Sequence, residues 1–367
     1  MVYEVTGSAV ILGAVLGVRA IPVLLLAPIS GVAADRFPRR LLLQGSQALA
    51  AIISFTVGIA LALDIVSTWM LFAFTLLMGA SNVMDRPARF TTAFELVPRE
   101  IAMRAVALNT IGFSLARVIS PAAAGYLIAW VGSAGSFFVQ GALYAASGLL
   151  VLAVTFPPPR AKPERSALAD MLEGLRYAAS DRRTRLLIAL GALPYLLLIP
   201  VWSTLFPIYA KDEFIAGPQG LGLLLTTVGA GGIVGGFIAN ALAHAERQAL
   251  LQALWIVVMA AAILGVAASP TLPVAALCGF IGGAAEMAHT ASNLATLQMS
   301  APDAMRGRIA SITMLYPAMI STGAFLAGPL AELFGVRGAS VALAVTSITA
   351  VAVLYLAAPH LKEMRLK

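Results

Sequence analysis

Charged residues are scarce in this sequence. Of its 367 residues, 11% are charged and 60% are hydrophobic, whereas soluble domains carry about 25% charged residues. The mean hydropathy is accordingly high, at +0.91. Because so few polar side chains cannot cover the surface of a water-soluble globule, the composition predicts a protein that lies in lipid.

Three further shortages exclude other classes of protein. The single cysteine, Cys278, has no partner for an internal disulfide bond. The three histidines, His244, His289 and His360, are far apart, and no cysteine–histidine set has the spacing of metal ligands. The sequence also has no glycine-rich loop followed by Lys-Ser or Lys-Thr, which ATP-binding proteins use to hold phosphate. We therefore predict a non-enzymatic protein with no metal site and no cofactor.

Long apolar runs fill most of the chain. A transmembrane helix needs about 20 mostly apolar residues, and these runs are continuous, whereas the strands of a membrane β-barrel alternate. The sequence predicts an all-α membrane protein with eleven transmembrane helices. The predicted spans are 7–30, 41–63, 68–88, 105–130, 132–155, 185–209, 219–242, 248–268, 271–295, 308–333 and 337–358.

The basic residues are distributed unevenly between the loops. If the loop at 35–40 is cytoplasmic, all but four of the 24 lysines and arginines lie on the cytoplasmic side or at its edge. The exceptions are Lys211 and Arg337 on the outer side, and Arg19 and Arg117 within spans. This positive-inside pattern predicts a multi-pass protein of the bacterial cytoplasmic membrane with a cytoplasmic carboxyl terminus. Dispersal over short loops argues against a nucleic-acid-binding surface, the rival explanation of a pI near 9.9.

The segment 156–184 divides the chain into two halves. Several prolines and a cluster of charges interrupt the apolar pattern there, which predicts a cytoplasmic linker containing a short amphipathic helix. The predicted domains are thus an N-terminal helical bundle at 1–155 and a C-terminal helical bundle at 185–367. Aligning the halves pairs polar residues with polar residues and proline with proline, which indicates an internal duplication.

Two predicted helices, one in each half, carry polar residues spaced i, i+3 and i+7, which places them on one helix face. These residues are Asn82, Asp85 and Arg89 in the first helix, and Glu286, His289 and Asn293 in the second. A charge at the bilayer centre costs about 2.5–3.5 kcal/mol on insertion scales, so we expect both faces to line a cavity. For Asp85 and Arg89, a position at the cytoplasmic interface is the alternative.

The stretch Gly31-Val-Ala-Ala-Asp35-Arg36-Phe-Pro-Arg39-Arg40 and the paired halves resemble the major facilitator superfamily, in particular its enterobactin-exporter-like and macrolide-efflux-like branch. The resemblance covers nearly the whole chain. It implies a two-bundle helical fold and a monomeric secondary active transporter that works by alternating access. The implied activity is proton-coupled efflux of a siderophore-like or drug-like small molecule.

In that family the loop latches the cytoplasmic side of the outward-open transporter, which implies a gate role for five residues. They are Gly31, Asp35, Arg36, Arg39 and Arg40. The alternative is that the arginines only determine topology. A second stretch, from Gly112 through Ser120 and Pro121 to Gly125, resembles a loosened form of the glycine–proline motif of antiporters. A kinked packing face of small residues explains the same stretch equally well.

The resemblance also implies a departure from the family at the start of the chain. Family members have twelve spans, and this chain matches their helices two to twelve. We expect a truncated gene model rather than a working transporter with eleven spans. An inactive truncated transporter and a non-transporting membrane scaffold or receptor are therefore alternatives to transport.

Charged residues within the spans are the candidate site. Arg19 and Arg117 lie near the middle of two predicted spans, where they need partners. One hypothesis is that they attract an anionic or catecholate-like substrate while Glu286 or His289 exchanges a proton. The alternative is a structural role, in which each arginine bonds to backbone carbonyls or to a carboxylate.

The predicted topology can be tested with two tags. A tag inserted at Lys211 should be accessible only from outside intact cells, and a tag at Lys367 only after the membrane is permeabilised. If both tags report the same compartment, the predicted topology is wrong.

Overall fold

The computed structural model describes residues 1–26, 37–156, 167–245, 247–302, 305–313 and 315–357, and every regular element in these ranges is a helix. In chain order the helices are α1 (Val2–Thr6), α2 (Ala9–Val18), α3 (Arg39–Ala62), α4 (Thr68–Glu95), α5 (Ala102–Leu152), α6 (Ala167–Ser180), α7 (Arg182–Leu193), α8 (Gly217–Ala241), α9 (Gln248–Ala268), α10 (Leu272–Ser300), α11 (Arg306–Thr313) and α12 (Tyr316–Ala357). A 3₁₀ turn, Arg99–Ile101, precedes α5.

Eight helical stretches in the described ranges are long and apolar enough to cross a membrane. They are Ala9–Leu26, Arg39–Ala62, Ala107–Leu152, Arg182–Glu213, Gly217–Ala241, Gln248–Ala268, Leu272–Ser300 and Tyr316–Ala357. The all-α membrane class is therefore confirmed, while the number of eleven spans stays a prediction.

Two of these stretches, of 46 and 42 residues, are much longer than one bilayer crossing requires. Each is interrupted by a glycine, Gly132 with φ 72° and ψ 176° and Gly335 with φ 71° and ψ 166°. This region of backbone space is essentially restricted to glycine. The interruptions fall where the sequence predicts one span to end and the next to begin.

The helix α7 does not stop at Leu193 but continues to Glu213 through π-helical turns. These turns are Pro194–Leu198, Val201–Leu205 and Tyr209–Glu213, with a short α-helix Phe206–Ile208 between the last two. Each π turn begins at a proline or shortly after one, as expected because proline lacks the N–H that the preceding turn would use. The side chains of Leu198, Leu205 and Phe206 are fully buried, so this stretch forms the centre of the C-terminal bundle.

Close backbone packing holds the C-terminal bundle together. A Cβ atom on Gly231 of α8 would collide with the carbonyl oxygen of Phe280 on α10, and one on Gly283 of α10 would collide with the carbonyl of Val228 on α8. Small residues permit such approaches between helices in lipid, where packing rather than the hydrophobic effect drives association. In the N-terminal bundle, α3 packs on the second part of α5, where Gly58 faces Phe138.

The linker contains the predicted short helix, α6, which docks on the C-terminal bundle. Arg308 of α11 donates a hydrogen bond of 2.5 Å from Nη1 to Glu173 of α6. Gly174 allows α6 to approach the backbone of Arg308, because a Cβ there would lie 2.8 Å from the Arg308 carbonyl oxygen. The predicted domain limits at 155 and 185 stay predictions.

The two halves meet along two seams of small residues. In the first seam, between α2 and α12, a Cβ on Gly13 would lie 2.5 Å from the carbonyl oxygen of Ala324. In the second seam, between α5 and α8, a Cβ on Gly125 would lie 2.6 Å from the Pro218 oxygen, and one on Gly222 would lie 2.7 Å from the Pro121 oxygen. Both seams lie toward the end of the helices that carries the breaks at Gly132 and Gly335, which we call the closed end.

The halves diverge toward the opposite end. Residues 107–113 of α5 are all exposed. Because seven consecutive residues make about two helical turns, the exposed surface includes every face of the helix. The same helix packs tightly on α8 farther along, around Pro121 and Gly125. The space between the halves is therefore open at this end.

We expect Gly222→Leu to force the closed end apart, because the new side chain would occupy the position of the Pro121 carbonyl. Spin labels on cysteines at Leu63 and Leu333, both exposed at the closed end, should report a distance distribution shifted by several ångströms, measured in a Cys278→Ser background.

The matched control is Gly112→Leu on α5, because no atom lies within 4 Å of a Cβ at Gly112. It should leave the distribution unchanged. An unchanged distribution in the folded Gly222→Leu protein would contradict the role of the seam.

Candidate functional site

An ion pair joins the two halves near the middle of the spans. Arg117 of α5 donates from Nη2 to Glu286 Oε1 of α10 at 2.5 Å. The Glu286 side chain is 10% exposed and that of Arg117 is 33% exposed. Removing two charges from water carries a desolvation cost, which their attraction and hydrogen bond offset. Each charge is therefore tolerated because the other half of the protein supplies its partner.

The helix α8 brings Arg117 into place. A Cβ on Gly229 would lie 2.6 Å from the Arg117 carbonyl oxygen, so only glycine allows this approach. Thr226, one turn earlier, donates from Oγ1 to the Val118 carbonyl at 3.1 Å. The seam between α5 and α8 thus sets the height at which the Arg117 side chain reaches Glu286.

The second carboxylate oxygen of Glu286, Oε2, does not take part in the ion pair with Arg117. Oε2 is buried and accepts no hydrogen bond from any residue in the described ranges. A carboxylate with a free acceptor position can take a proton or a polar group of a ligand. We therefore take this oxygen as the candidate site for a proton or a ligand group within the spans.

The predicted polar face of α10 continues from Glu286 toward the open end. His289 Nδ1 lies 3.2 Å from the Gln252 carbonyl oxygen of α9, and Asn293 donates from Nδ2 to the Leu187 carbonyl at 2.9 Å and to Gln252 Oε1 at 3.0 Å. Glu286, His289 and Asn293 are all buried. His289 and Asn293 therefore point into the C-terminal bundle, toward α7 and α9, whereas Glu286 on the same helix meets Arg117 of the other half.

Two tyrosines that sequence reasoning missed complete this region. Tyr195 of α7 and Tyr316 of α12 have ring centroids 5.1 Å apart. The Tyr195 hydroxyl lies 3.4 Å from Thr290 Oγ1, and Tyr195 interacts electrostatically with both Arg117 and Glu286. The tyrosines belong to apolar runs without a polar spacing, and the only local signal is that each adjoins a proline.

The polar face of α4 is organised within the N-terminal bundle. Asp85 accepts hydrogen bonds from Ser46 Oγ at 3.1 Å and Gln47 Nε2 at 2.9 Å, and from Arg89 at 2.9 and 3.1 Å. The Asn82 side chain donates to the Met78 carbonyl of its own helix. Because Arg89 is about half exposed, this pair matches the interfacial interpretation better than a position deep in a cavity.

Arg19 lies next to the same helix. It ends α2, before a turn that leads on to Leu26. Its aliphatic Cγ atom lies 3.5 Å from where a Cβ on Gly79 of α4 would be. The side chain therefore packs along α4 and is exposed at its charged end.

Part of the predicted gate motif lies outside the described residues, namely Gly31, Asp35 and Arg36. Arg39 begins α3. Arg40 donates from Nη2 to the Leu152 carbonyl at 3.1 Å. A cation at the C-terminal end of a helix interacts favourably with its dipole, so Arg40 binds the last turn of α5 in its own half. The gate role of the motif stays a prediction.

The antiporter-like stretch is part of the seam between α5 and α8. Pro121 and Gly125 contact Gly222, whereas Ser120 donates to the Ala116 carbonyl of its own helix. Gly112 faces open space. Close packing accounts for Pro121 and Gly125, and a role of the stretch in antiport stays a prediction.

A further set of polar contacts bridges the halves at the closed end. Tyr3 of α1 donates its hydroxyl to Asp212 at the end of the α7 stretch, and Lys211 Nζ lies 5.0 Å from the Tyr3 ring centroid. Burial, followed by the hydrogen bond to Asp212, raises the pKa of Tyr3. Nearby, Arg337 donates to Glu213 at 2.7 Å. Both basic residues that the sequence places outside are thus engaged in contacts at the closed end.

Comparison with known proteins gives a match along the chain. A family model described as transmembrane secretion effector matches residues 1–366. The multidrug efflux pump Tap of Mycolicibacterium fortuitum is 26% identical over 100% of this chain and 91% of its own length. The staphyloferrin A transporter of Staphylococcus aureus is 24% identical, over 90% of this chain and 83% of its own. The enterobactin exporter EntS of Citrobacter koseri is 26% identical, over 83% and 69%.

Solved structures share the fold at low sequence identity. A bacterial homolog of the human lysosomal transporter Spinster, inward-facing and unoccupied, has a TM-score of 0.79 at 15% identity, covering 98% of this chain and 91% of that one. The nucleoside transporter NupG has a TM-score of 0.74 at 15% identity, covering 97% and 92%.

The Arg117–Glu286 pair should show strong energetic coupling. Arg117→Met leaves an uncompensated buried carboxylate, and Glu286→Leu leaves an uncompensated guanidinium, so each should destabilise the protein. The double variant should recover on the order of 1–3 kcal/mol relative to the sum of the single effects. Reversible unfolding in mixed micelles measures this cycle.

The control cycle uses Glu213 and Arg337, whose pair is more exposed. Its coupling should stay below about 1 kcal/mol, as is usual for exposed pairs. Additive effects of the Arg117 and Glu286 substitutions would contradict a functional contact between them.

Proposed function

Because the chain belongs to the transmembrane secretion effector family of the major facilitator superfamily, we propose that it exports a small molecule in exchange for protons by alternating access. Membership itself makes the chain a multi-pass membrane transporter and not an enzyme. The proposed additions are the direction of transport, the coupling ion, a monomeric state, and the bacterial cytoplasmic membrane as location with the carboxyl terminus inside.

The Arg117–Glu286 pair carries the proposal. A pair whose only role was stability would be replaceable by well-packed apolar residues, often at no cost. Here the two charges belong to different halves, which alternating access must move relative to each other. A proton on Glu286 removes its charge and releases Arg117, and loss of that proton restores the pair. The contact thus has two discrete arrangements, which is what a conformational switch requires.

The position of the seams supports export from the cytoplasm. Arginine-rich loops lie at the open end of the helices, opposite Lys211 and Arg337. By the positive-inside rule, the open end is cytoplasmic and the closed end is external. The structure then corresponds to a state that accepts substrate from the cytoplasm, in agreement with its similarity to a Spinster homolog described as inward-facing.

The names of the relatives support the class of substrate. One is a multidrug efflux pump, one a staphyloferrin A transporter and one an enterobactin exporter. We propose a drug-like or siderophore-like small molecule that occupies the space between the halves. Arg19 and Arg117 would attract anionic groups of such a molecule when Glu286 is protonated, because Arg117 is then free of its partner.

Substituting Glu286 separates coupling from transport. In liposomes with an imposed proton gradient, the wild type should move a fluorescent drug-like dye or a catecholate siderophore and collapse the gradient. Glu286→Gln should lose gradient-driven transport by at least about tenfold, because it cannot exchange a proton. Exchange of labelled for unlabelled probe without a gradient should persist.

The matched control is Glu213→Gln, which removes a carboxylate at the closed end, and it should keep gradient-driven transport. Unchanged coupling in Glu286→Gln would overturn the proposed role of the pair. A wild-type protein that neither moves a probe nor collapses the gradient would support the scaffold or receptor alternative instead.

A further inference from the structure

We propose that a small, partly open polar cavity near Glu286, lined by the C-terminal bundle, holds water and conducts the coupling proton between Glu286 and the open end. The inference rests on the proposed function and adds a route to it. The ligand of this site is a short chain of water molecules, distinct from the substrate, which occupies the space between the halves.

The cavity lies directly below Glu286 in the direction of the open end. It is bounded by the α7 stretch, α10, α11 and α12, and its lining consists of Gly191, Tyr195, His289, Thr290, Asn293, Leu294, Thr313 and Tyr316. On α10, Thr290 is four residues after Glu286 and so lies on the same helix face. From Glu286 to Asn293 the helix rises about 10 Å. The cavity therefore runs along the two turns of α10 that lie between the Glu286 carboxylate and the part of the bundle nearer the open end.

The size of the cavity selects its occupant. Its volume is about 90 Å³, and one water needs about 10–15 Å³ of such space. Several waters fit, whereas binding sites for drug-sized molecules measure about 300–1,000 Å³. An exported drug or siderophore is therefore too large for the cavity.

The lining has the chemistry that proton transfer through water requires. Hydroxyl groups donate and accept hydrogen bonds at the same time, and three hydroxyl-bearing side chains follow one another here. Tyr195 lies 3.4 Å from Thr290, and the Tyr316 hydroxyl reaches Asn293 Oδ1 at 3.5 Å and the Ile188 carbonyl at 3.3 Å. Tyr195, which interacts electrostatically with Glu286, forms the upper end of this series.

A buried histidine adds a polar side chain to the wall of the cavity. His289 is 1% exposed and lines the cavity. Its Nδ1 atom lies 3.2 Å from the Gln252 carbonyl oxygen, to which it donates when it carries the ring proton. The Leu190 carbonyl lies close to the ring as well, but Nε2 makes no hydrogen bond to any described residue.

A separate path has a physical advantage for an exchanger. Arg117 approaches Glu286 from the other half, along the space where substrate would bind, whereas the cavity approaches it from within the C-terminal bundle. A proton leaving through the cavity does not have to pass the substrate. Tyr195 also lies in the first π turn of the α7 stretch, so movement of that turn changes the upper end of the path.

The test uses substitutions that keep shape and remove hydroxyl groups. Thr290→Val and Tyr316→Phe should each slow gradient-driven export of the fluorescent dye from liposomes by at least about tenfold. Exchange of labelled for unlabelled dye without a gradient should stay within about twofold of the wild type, since the substrate space is unaltered. Gradient-driven export by the variants should also slow more strongly in deuterium oxide than that of the wild type.

Two controls accompany these variants. Thr290→Ser keeps the hydroxyl and should restore wild-type rates, which separates loss of the hydroxyl from loss of folding. Thr56→Val makes the same substitution on α3, where the exposed hydroxyl bonds to the Ile52 carbonyl of its own helix, and it should leave the isotope effect unchanged.

The outcomes distinguish the path from the switch. If Glu286→Gln is uncoupled but Thr290→Val and Tyr316→Phe export as well as the wild type, the path is wrong and the proposed function stands. If the two variants slow dye exchange as much as gradient-driven export, they act on substrate and the path is also wrong. If Glu286→Gln stays coupled, both proposals fail.

Discussion

A charge inside a bilayer persists only where protein or water compensates it, and this constraint determines where the polar side chains of this protein lie. In the N-terminal bundle, hydrogen bonds from three side chains compensate Asp85. In the C-terminal bundle, the Asn293 amide donates to the Gln252 side chain and to the Leu187 carbonyl, and the Gln252 amide donates to Thr296. Between the bundles, Arg117 and Glu286 compensate each other. Only this last arrangement depends on the relative position of the halves.

Among the described residues, the contacts between the halves include close backbone packing, the polar contacts of Tyr3 at the closed end and the Arg117–Glu286 ion pair. The seams at Gly13 and Gly222 rest on close backbone packing. When such a seam opens, lipid chains can partly replace the lost packing contacts. These contacts therefore separate without leaving a charge exposed. The ion pair cannot separate so freely, because each partner then needs a proton, a ligand or water. The seams therefore define the shape of the closed end, and under the proposed function the state of the ion pair governs movement of the halves.

Hydropathy and spacing predicted the helical membrane class, the interruptions near Gly132 and Gly335, and the common face of Glu286, His289 and Asn293. They did not predict that Glu286 meets Arg117 or that Tyr195 and Tyr316 form one cavity. The reason is physical, since periodicity determines which face of a helix is polar but not which distant helix lies opposite. The position of Tyr195 in the cavity wall depends further on the π turns that the prolines after Leu193 produce. A hydropathy pattern does not reveal such turns.

The polar faces of α4 and α10 hold their acidic groups differently. A glutamine of the third helix in each bundle contacts the polar face of the fourth: Gln47 bonds to Asp85, and Gln252 contacts His289 and Asn293. In the N-terminal bundle the acidic group occupies this position and is fully engaged by its neighbours. In the C-terminal bundle a histidine replaces it, and the carboxylate of Glu286 lies one turn nearer the closed end, where its second oxygen is free. The two acidic groups therefore differ in what holds them: Asp85 is bonded within its own bundle, whereas Glu286 pairs with a residue of the other half, so only Glu286 responds when the halves separate.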